Sequence, residues 1–151
     1  MITIGDTQPE SPIHPLDGVE HWLLQQIKDD PTILGLGDLE FKRALPSCRA
    51  GQISILLEDP AELSFHVVEL QLGLTDDRHV IRAVERWGAE SKRRSERRCF
   101  AVLVAQQIAP RYLRILRLIG RSVPLLVLEL QLSEDGQRLV GSPRFTAVKL
   151  G

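Results

Sequence analysis

The chain has 151 residues, a formal net charge of −1 at pH 7 and a sequence pI of about 6.4. Its length is typical of one domain with a sizeable core. The near-neutral charge excludes a general electrostatic attraction to nucleic acid, so any such binding must come from a local patch. Cys48 and Cys99 have no paired spacing and predict neither a disulfide framework nor a zinc ribbon.

The apolar runs of the chain are short, and residues 124–128 are far too few to cross a bilayer. The first residues show neither a basic leader nor an apolar stretch. We therefore expect a cytoplasmic protein with no membrane partner. Residues 1–16 are expected to be a flexible arm, because residues 7–15 are rich in Pro, Ser and Glu without an apolar period, and residues 17–151 to form one domain.

The first half of that domain is predicted to be one helix and a three-strand meander. The helix covers residues 17–29, where Asp17 and Glu20 resemble a capping pair. A short strand is expected at residues 39–45. The strands at residues 52–57 and 65–72 follow, separated by the turn-forming Glu58-Asp59-Pro60.

From Asp77 the apolar period becomes helical. The near-continuous apolar run at residues 99–105 is typical of a strand covered on both faces. A helix at residues 110–119 and strands at residues 125–132 and 145–150 complete the chain. The order is α-β-β-β-α-β-α-β with room for an extra strand, which predicts an α/β (α+β) fold with a mixed central sheet of four to five strands flanked by helices. The inward stripe of the helix that starts at Asp77 is predicted to be Val80, Ile81, Val84, Trp87 and Gly88.

Glu69 and Gln71 are the strongest candidates for a chemical site. Residues two apart on a strand point to the same face of the sheet, so this acid and this amide can converge on one ion or one phosphate. The tetrapeptide Glu-Leu-Gln-Leu of residues 69–72 recurs at residues 129–132, and we interpret the second copy as strand patterning.

The order of elements, with Glu69 and Gln71 ending the third strand, resembles the core of the PD-(D/E)XK nuclease superfamily. This is the fold of many restriction enzymes and DNA-repair endonucleases. More specifically, the chain resembles a group of uncharacterised bacterial proteins within this superfamily. The resemblance covers about residues 50–130. The segments that carry it are residues 53–60, 68–73 with Thr75 and Asp76, 79–82 with Glu85, Trp87 and Glu90, 92–93, 101–105 with Ile108 and Arg111, and 124–125.

The resemblance implies a site for Mg²⁺, or Mn²⁺ in its place, held by an Asp of the second strand and by Glu69, with Gln71 positioning the attacking water. Such an ion lowers the pKa of a bound water and stabilises charge on the phosphate. The required Asp is missing, because its place falls at Gln52 or Ser54. The candidate catalytic residues are therefore Glu69, Gln71, Ser54 and Gln52. The acids that could substitute for the missing Asp as metal ligands are Glu58, Glu20, Asp38 and Glu40.

Two further readings stay open at this stage. Glu69 could be a structural acid paired with an Arg of the next helix. The basic segment of residues 91–98 could solvate a helix C-terminus, or it could contact phosphates and release counterions. His79 and Arg82 are expected near the cleft. The predicted nucleic-acid-binding residues are His79, Arg82, Arg86, Lys92, Arg93, Arg94, Arg97 and Arg98.

Three functions remain after these observations. The first is a nuclease-like protein with a degenerate metal site that acts through binding to DNA or to a protein partner. The second is an active metal-dependent DNA endonuclease with an unusual ligand set. The third is a non-catalytic α/β interaction scaffold. A homodimer is compatible with all three, and no small-molecule cofactor is indicated.

Overall fold

The structure is a computed structural model that describes residues 13–15, 18–47, 49–136 and 138–151. Within these residues the chain forms three α-helices, a short 3₁₀ helix (Pro31–Leu34) and a seven-stranded sheet. The helices are α1 (Val19–Asp29), α2 (Asp77–Arg93) and α3 (Pro110–Ile119). The strands are β1 (Ile13–Pro15), β2 (Glu40–Leu45), β3 (Gln52–Asp59), β4 (Ser64–Leu74), β5 (Cys99–Gln107), β6 (Leu125–Asp135) and β7 (Arg138–Ala147).

The sheet is mixed, with the strand order β1-β7-β6-β5-β4-β3-β2. The three central strands β4, β5 and β6 are parallel, and every other pairing is antiparallel. Parallel neighbours need a crossover connection, and α2 and α3 supply the two crossovers. The continuous apolar run of β5 is explained by its central position, where five consecutive residues, Ala101 to Ala105, are fully buried.

Helices cover both faces of the sheet. On one face, α1 packs through Trp22, Leu23 and Ile27 against apolar residues of β3, β4, β5 and β6. On the other face, Val80 and Ala83 of α2 pack with β5 and β6 residues and with α3. Glu69 lies opposite Leu103 in the β4–β5 register, and Leu103 belongs to this second cluster. The face under α2 is therefore the one that holds Glu69.

The predicted α/β class and the meander β2-β3-β4 are confirmed, as are α3 and the strand position of Cys99. The first helix begins at Val19, and its N-cap position is Gly18 without a side-chain cap. The predicted capping residue Asp17 lies outside the described residues. The Glu20 carboxylate instead accepts a hydrogen bond from the Gly51 amide.

Three sequence-based predictions about the sheet and about α2 were wrong. The sheet has seven strands within the described residues rather than four or five, because β7 adds to β6 and β1 adds to β7. Strand β6 runs on to Asp135 and forms a long hairpin with β7. The last strand therefore begins at Arg138 rather than at residue 145. Ile81 was expected to face inward, but its side chain is 55% exposed because it lies beyond the edge of the α2 stripe that touches the sheet.

Most of the predicted arm, residues 1–16, lies outside the described residues, as does Cys48. Its described part, Ile13–Pro15, pairs with β7 as strand β1. Among the described residues, no helix combines the length and the apolar character that a membrane crossing requires.

Candidate functional site

The antiparallel register of β3 and β4 brings the four predicted catalytic residues together. Gln52 lies opposite Gln71, and Ser54 lies opposite Glu69. All four side chains are buried on the face covered by α2. The spacing of two residues on each strand, predicted from the sequence to place them on one face, therefore produces one compact polar cluster.

The Glu69 side chain is fully buried, and both of its carboxylate oxygens have partners. The Ser54 hydroxyl donates to the carboxylate, with Oγ 2.5 Å from Oε1. Arg82 donates from Nε to Oε1 at 2.9 Å, and Arg86 places its Nε 4.0 Å from Oε2. Ser54 thus acts as a hydrogen-bond donor to the glutamate.

Helix α2 delivers these arginines because its start is fixed by Asp76. The Asp76 carboxylate accepts a hydrogen bond from the His79 amide at 2.9 Å, which caps the helix. Burial acts to raise the pKa of Asp76, but hydrogen bonds from the His79 amide and the Gln71 side chain outweigh it and lower that pKa. Arg82 and Arg86 then follow at a spacing of four, on one side of the helix.

The structure places His79 in the interior, so the prediction that it contacts nucleic acid was wrong. Its side chain is fully buried, and Nε2 lies 3.0 Å from the Glu69 carbonyl oxygen. A carbonyl oxygen only accepts, so Nε2 carries the proton. Burial lowers the pKa of His79 to about 4. The neutral ring therefore ties α2 to β4 directly behind the carboxylate.

Gln71 orients an arginine in this structure. Its Nε2 donates to the Leu74 carbonyl oxygen at 2.8 Å, and its Oε1 lies 3.5 Å from a terminal nitrogen of Arg82. The Arg82 guanidinium is therefore held between Glu69 and Gln71.

The other predicted metal ligands do not join Glu69. Glu58 lies four residues from Ser54, about 13 Å along the strand, and its carboxylate is 3.2 Å from Lys42 and 2.9 Å from Arg97. Glu40 pairs with Glu58 at that far end of the sheet.

Glu20 borders a groove that Gln52 and Ser54 also line. In the part of the chain that the structure describes, no three His, Cys, Asp or Glu side chains converge as a metal site.

A row of arginines extends from Glu69 along one side of α2 and into the turn after it. We call Arg82, Arg86, Arg93, Arg94 and Arg97 the basic row. The buried Glu90 lies within this row, with its carboxylate 3.3 Å from Arg43 and 3.8 Å from Arg93 and also paired with Arg94. The paired carboxylates, Glu58, Glu69 and Glu90, are outnumbered by their cations, Lys42, Arg43, Arg82, Arg86, Arg93, Arg94 and Arg97.

Arginines also cover the nearby aromatic rings. The guanidinium carbons of Arg94 and Arg97 lie 4.7 and 5.4 Å from the centre of the Phe65 ring. Arg98 lies 4.9 Å from the Phe100 ring in the same manner. Lys92 is exposed, and its position in the helix turns it away from the basic row. Of the predicted basic segment, Arg93, Arg94 and Arg97 therefore belong to the basic row, whereas Lys92 and Arg98 lie outside it.

Sequence reasoning missed Arg43, Lys42, Glu90 and Phe65. The i, i+4 spacing of Glu90 and Arg94 was a usable signal. Arg43 and Lys42 gave none, because they reach the row only through the β2–β3 register. Cys99 is no nucleophile here, since burial and the Glu90 carboxylate raise the pKa of its thiol to about 11.

The fold defines an α/β protein with a mixed sheet, and its polar cluster is an ion-pair network that continues into a basic surface. No family model, no curated protein and no solved structure matches the chain. The function must therefore be inferred from the residues of the site.

Proposed function

We propose that the chain is a nuclease-like protein of PD-(D/E)XK type that binds the phosphate backbone of DNA without cleaving it. The order α-β-β-β-α-β-α-β supports the restriction-endonuclease-like assignment, together with the position of Glu69 and Gln71 on β4. The observation that carries the loss of cleavage is the engagement of both Glu69 oxygens by Ser54, Arg82 and Arg86.

This engagement opposes binding of a divalent cation at Glu69. Mg²⁺ needs hard oxygen ligands in near-octahedral geometry and gains most from negative ones. Here Glu69 is the one acid of the cluster, and Gln52 and Ser54 bring no negative charge. An ion entering the cluster would meet two guanidinium groups in a buried setting where charge repulsion is poorly screened. The cluster therefore stabilises the arginines rather than a metal.

The basic row fits a nucleic-acid backbone in charge and length. Arg82 and Arg93 are eleven residues apart on α2, a distance of about 16 Å, over which each DNA strand carries about five phosphates. The carboxylates along the row orient the guanidinium groups without neutralising all of them. Each phosphate contact then releases counterions and contributes affinity that does not depend on sequence.

Recognition of unpaired bases by stacking is disfavoured on this surface. The Phe65 and Phe100 rings already carry arginines over them. A base would have to displace a guanidinium group to stack on either ring. We therefore expect binding to double-stranded DNA with little sequence preference.

Fluorescence anisotropy with a labelled DNA duplex, measured across a series of salt concentrations, tests the proposal. The double variant R93A/R97A should reduce the magnitude of the slope of log K against log salt by about 2, because each lost phosphate contact removes about 1. Arg114→Ala, at an exposed position of α3, is the matched control and should keep the slope. Binding that is absent, or that ignores the double variant, would contradict the proposal and favour a protein-interaction scaffold.

The second candidate function is a metal-dependent endonuclease, with Glu20 in place of the missing Asp. The observation that favours it is that Glu20 lines the same groove as Gln52 and Ser54. In that case Mg²⁺ or Mn²⁺ would have to displace Arg82 from Glu69. DNA cleavage that needs the metal and is lost in Glu20→Gln would support this candidate over the first.

A further inference from the structure

An apolar groove runs between α2 and α3, on a different side of α2 from the basic row. Val80, Ile81 and Val84 line it from α2, and Ile115 and Ile119 line it from α3. The two helices are fixed there because Tyr112 donates to the Asp77 carboxylate at 2.7 Å. Ile81 is 55% exposed at the rim. An exposed apolar strip of this kind is typical of an interaction surface.

The charges beside the groove are arranged symmetrically around its centre. Arg78 precedes Ile81 by three residues and Glu85 follows it by four, so both flank Ile81 on the same side of α2. Both side chains are exposed, and the ion pairs formed among the described residues include neither of them. The strip therefore has a cation at one end and an anion at the other.

We propose that a second copy of this chain occupies the groove, with the two α2 helices antiparallel about a twofold axis that passes beside Ile81. In that antiparallel pair the Ile81 side chains of the two copies pack against each other at the axis. The same pairing brings Arg78 of each copy to Glu85 of the other, which forms two equivalent ion pairs. A twofold interface requires a patch that is its own complement, and the opposite charges on either side of Ile81 meet this requirement.

The overall charge of the chain is compatible with this association. A net charge of −1 creates little repulsion between copies. Because the groove and the basic row lie on different sides of α2, the dimer leaves both rows free. The proposal therefore does not depend on DNA binding and can fail without affecting it.

Sedimentation equilibrium of the full chain from low micromolar to high micromolar concentration measures the association. We expect a reversible monomer–dimer equilibrium. Ile81→Glu should raise the dimer dissociation constant by about 100-fold, since the interface would bury an unpaired charge. Leu63→Glu is the matched control, because Leu63 is 56% exposed in the turn between β3 and β4. The dimer of Leu63→Glu should have the same dissociation constant as that of the unmodified chain.

Charge exchange provides a test that does not alter the apolar strip. Arg78→Glu and Glu85→Arg should each weaken the dimer by about tenfold, because each places like charges opposite one another. The double variant R78E/E85R should restore the dissociation constant to within about threefold. A chain that stays monomeric over the whole range overturns the proposal, as does a dimer that is unaffected by Ile81→Glu or not rescued by the exchange.

Discussion

The two copies of Glu-Leu-Gln-Leu occupy the same face of one sheet and have opposite environments. Gln71 and Glu129 are both register neighbours of Ala105, so the copies lie on either side of β5. Glu69 is fully buried with three polar partners. Glu129 is half-buried and has no side-chain hydrogen bond or ion pair among the described residues. Identical local sequence thus produced one anchored acid and one free acid.

Their nearest strand neighbours do not explain this difference. Each acid faces a hydroxyl residue on its antiparallel neighbour, Ser54 for Glu69 and Thr146 for Glu129. What differs is the helix above them. Arg82 and Arg86 project from α2 onto Glu69, and no described cation pairs with Glu129. The role of an acid in this sheet is therefore decided by the arginines of α2, not by the strand motif.

Removing the carboxylate charge should give the largest difference in stability between Glu69 and Glu129. Glu69→Gln leaves two partly buried guanidinium groups without their carboxylate and should lower the free energy of unfolding by about 3 to 4 kcal/mol. Glu129→Gln should change it by less than about 0.5 kcal/mol. Urea unfolding followed by circular dichroism measures both. Equal effects of the two substitutions would show that Glu69 does not anchor the arginines of α2.

Acidification should lower the stability of the fold, because His79, which contacts the Glu69 backbone, must remain neutral in the folded state. Burial lowers the pKa of His79 from 6.5 to about 4. Between these values the unfolded state binds the proton and the folded state does not, so stability present above pH 6.5 is lost as the pH falls towards 4. The expected loss is about 2 to 3 kcal/mol. Burial also lowers the pKa of His66, which adds to the loss in the same direction.

Urea midpoints across this pH range test the effect of His79. His79→Gln should flatten the dependence on pH, since its amide can still donate to the Glu69 carbonyl oxygen but does not titrate. His21→Gln, at an exposed position of α1, should keep the full dependence. An unchanged slope in His79→Gln would place the acid sensitivity elsewhere.

Removing the hydroxyl groups of Ser54 and Thr146, the register neighbours of Glu69 and Glu129, should give the smallest difference in stability. Ser54→Ala removes a hydrogen bond to a buried carboxylate and should cost about 1.5 kcal/mol. Thr146→Ala removes an exposed side chain with no described hydrogen bond and should cost less than about 0.5 kcal/mol. Differential scanning calorimetry resolves this difference. A larger cost at Thr146 would mean that strand pairing, rather than the ion-pair cluster, governs stability here.

The elements of the fold that were predicted correctly are those with a strong local period. The meander, α3 and the buried strand β5 follow from alternation, helical spacing and a continuous apolar run. The β6–β7 hairpin was underestimated because Ser133, Glu134 and Asp135 have the composition of a turn, yet the pairing of β6 with β7 keeps them extended. The grouping of Gln52, Ser54, Glu69 and Gln71 was also predictable, because it needs only a register.

The partners of those residues were not predictable from spacing alone. The burial of His79 depends on how α2 docks on β4, and the sequence shows only that it lies in the first turn. Likewise, Arg43 meets Glu90 across 47 positions of sequence. Such contacts are set by tertiary packing, which no local pattern records.

Incubation of supercoiled plasmid with the unmodified chain and with Glu69→Gln, in Mg²⁺ and in Mn²⁺, tests whether the chain binds DNA without cleaving it. We expect both proteins to retard the plasmid at low salt and neither to nick it, because Glu69 pairs with arginines rather than with a metal. Ser54→Ala, which keeps the carboxylate and should fold more readily than Glu69→Gln, should behave in the same way. Metal-dependent nicking by the unmodified chain that disappears in Glu69→Gln would show instead that Glu69 is a metal ligand of an active nuclease.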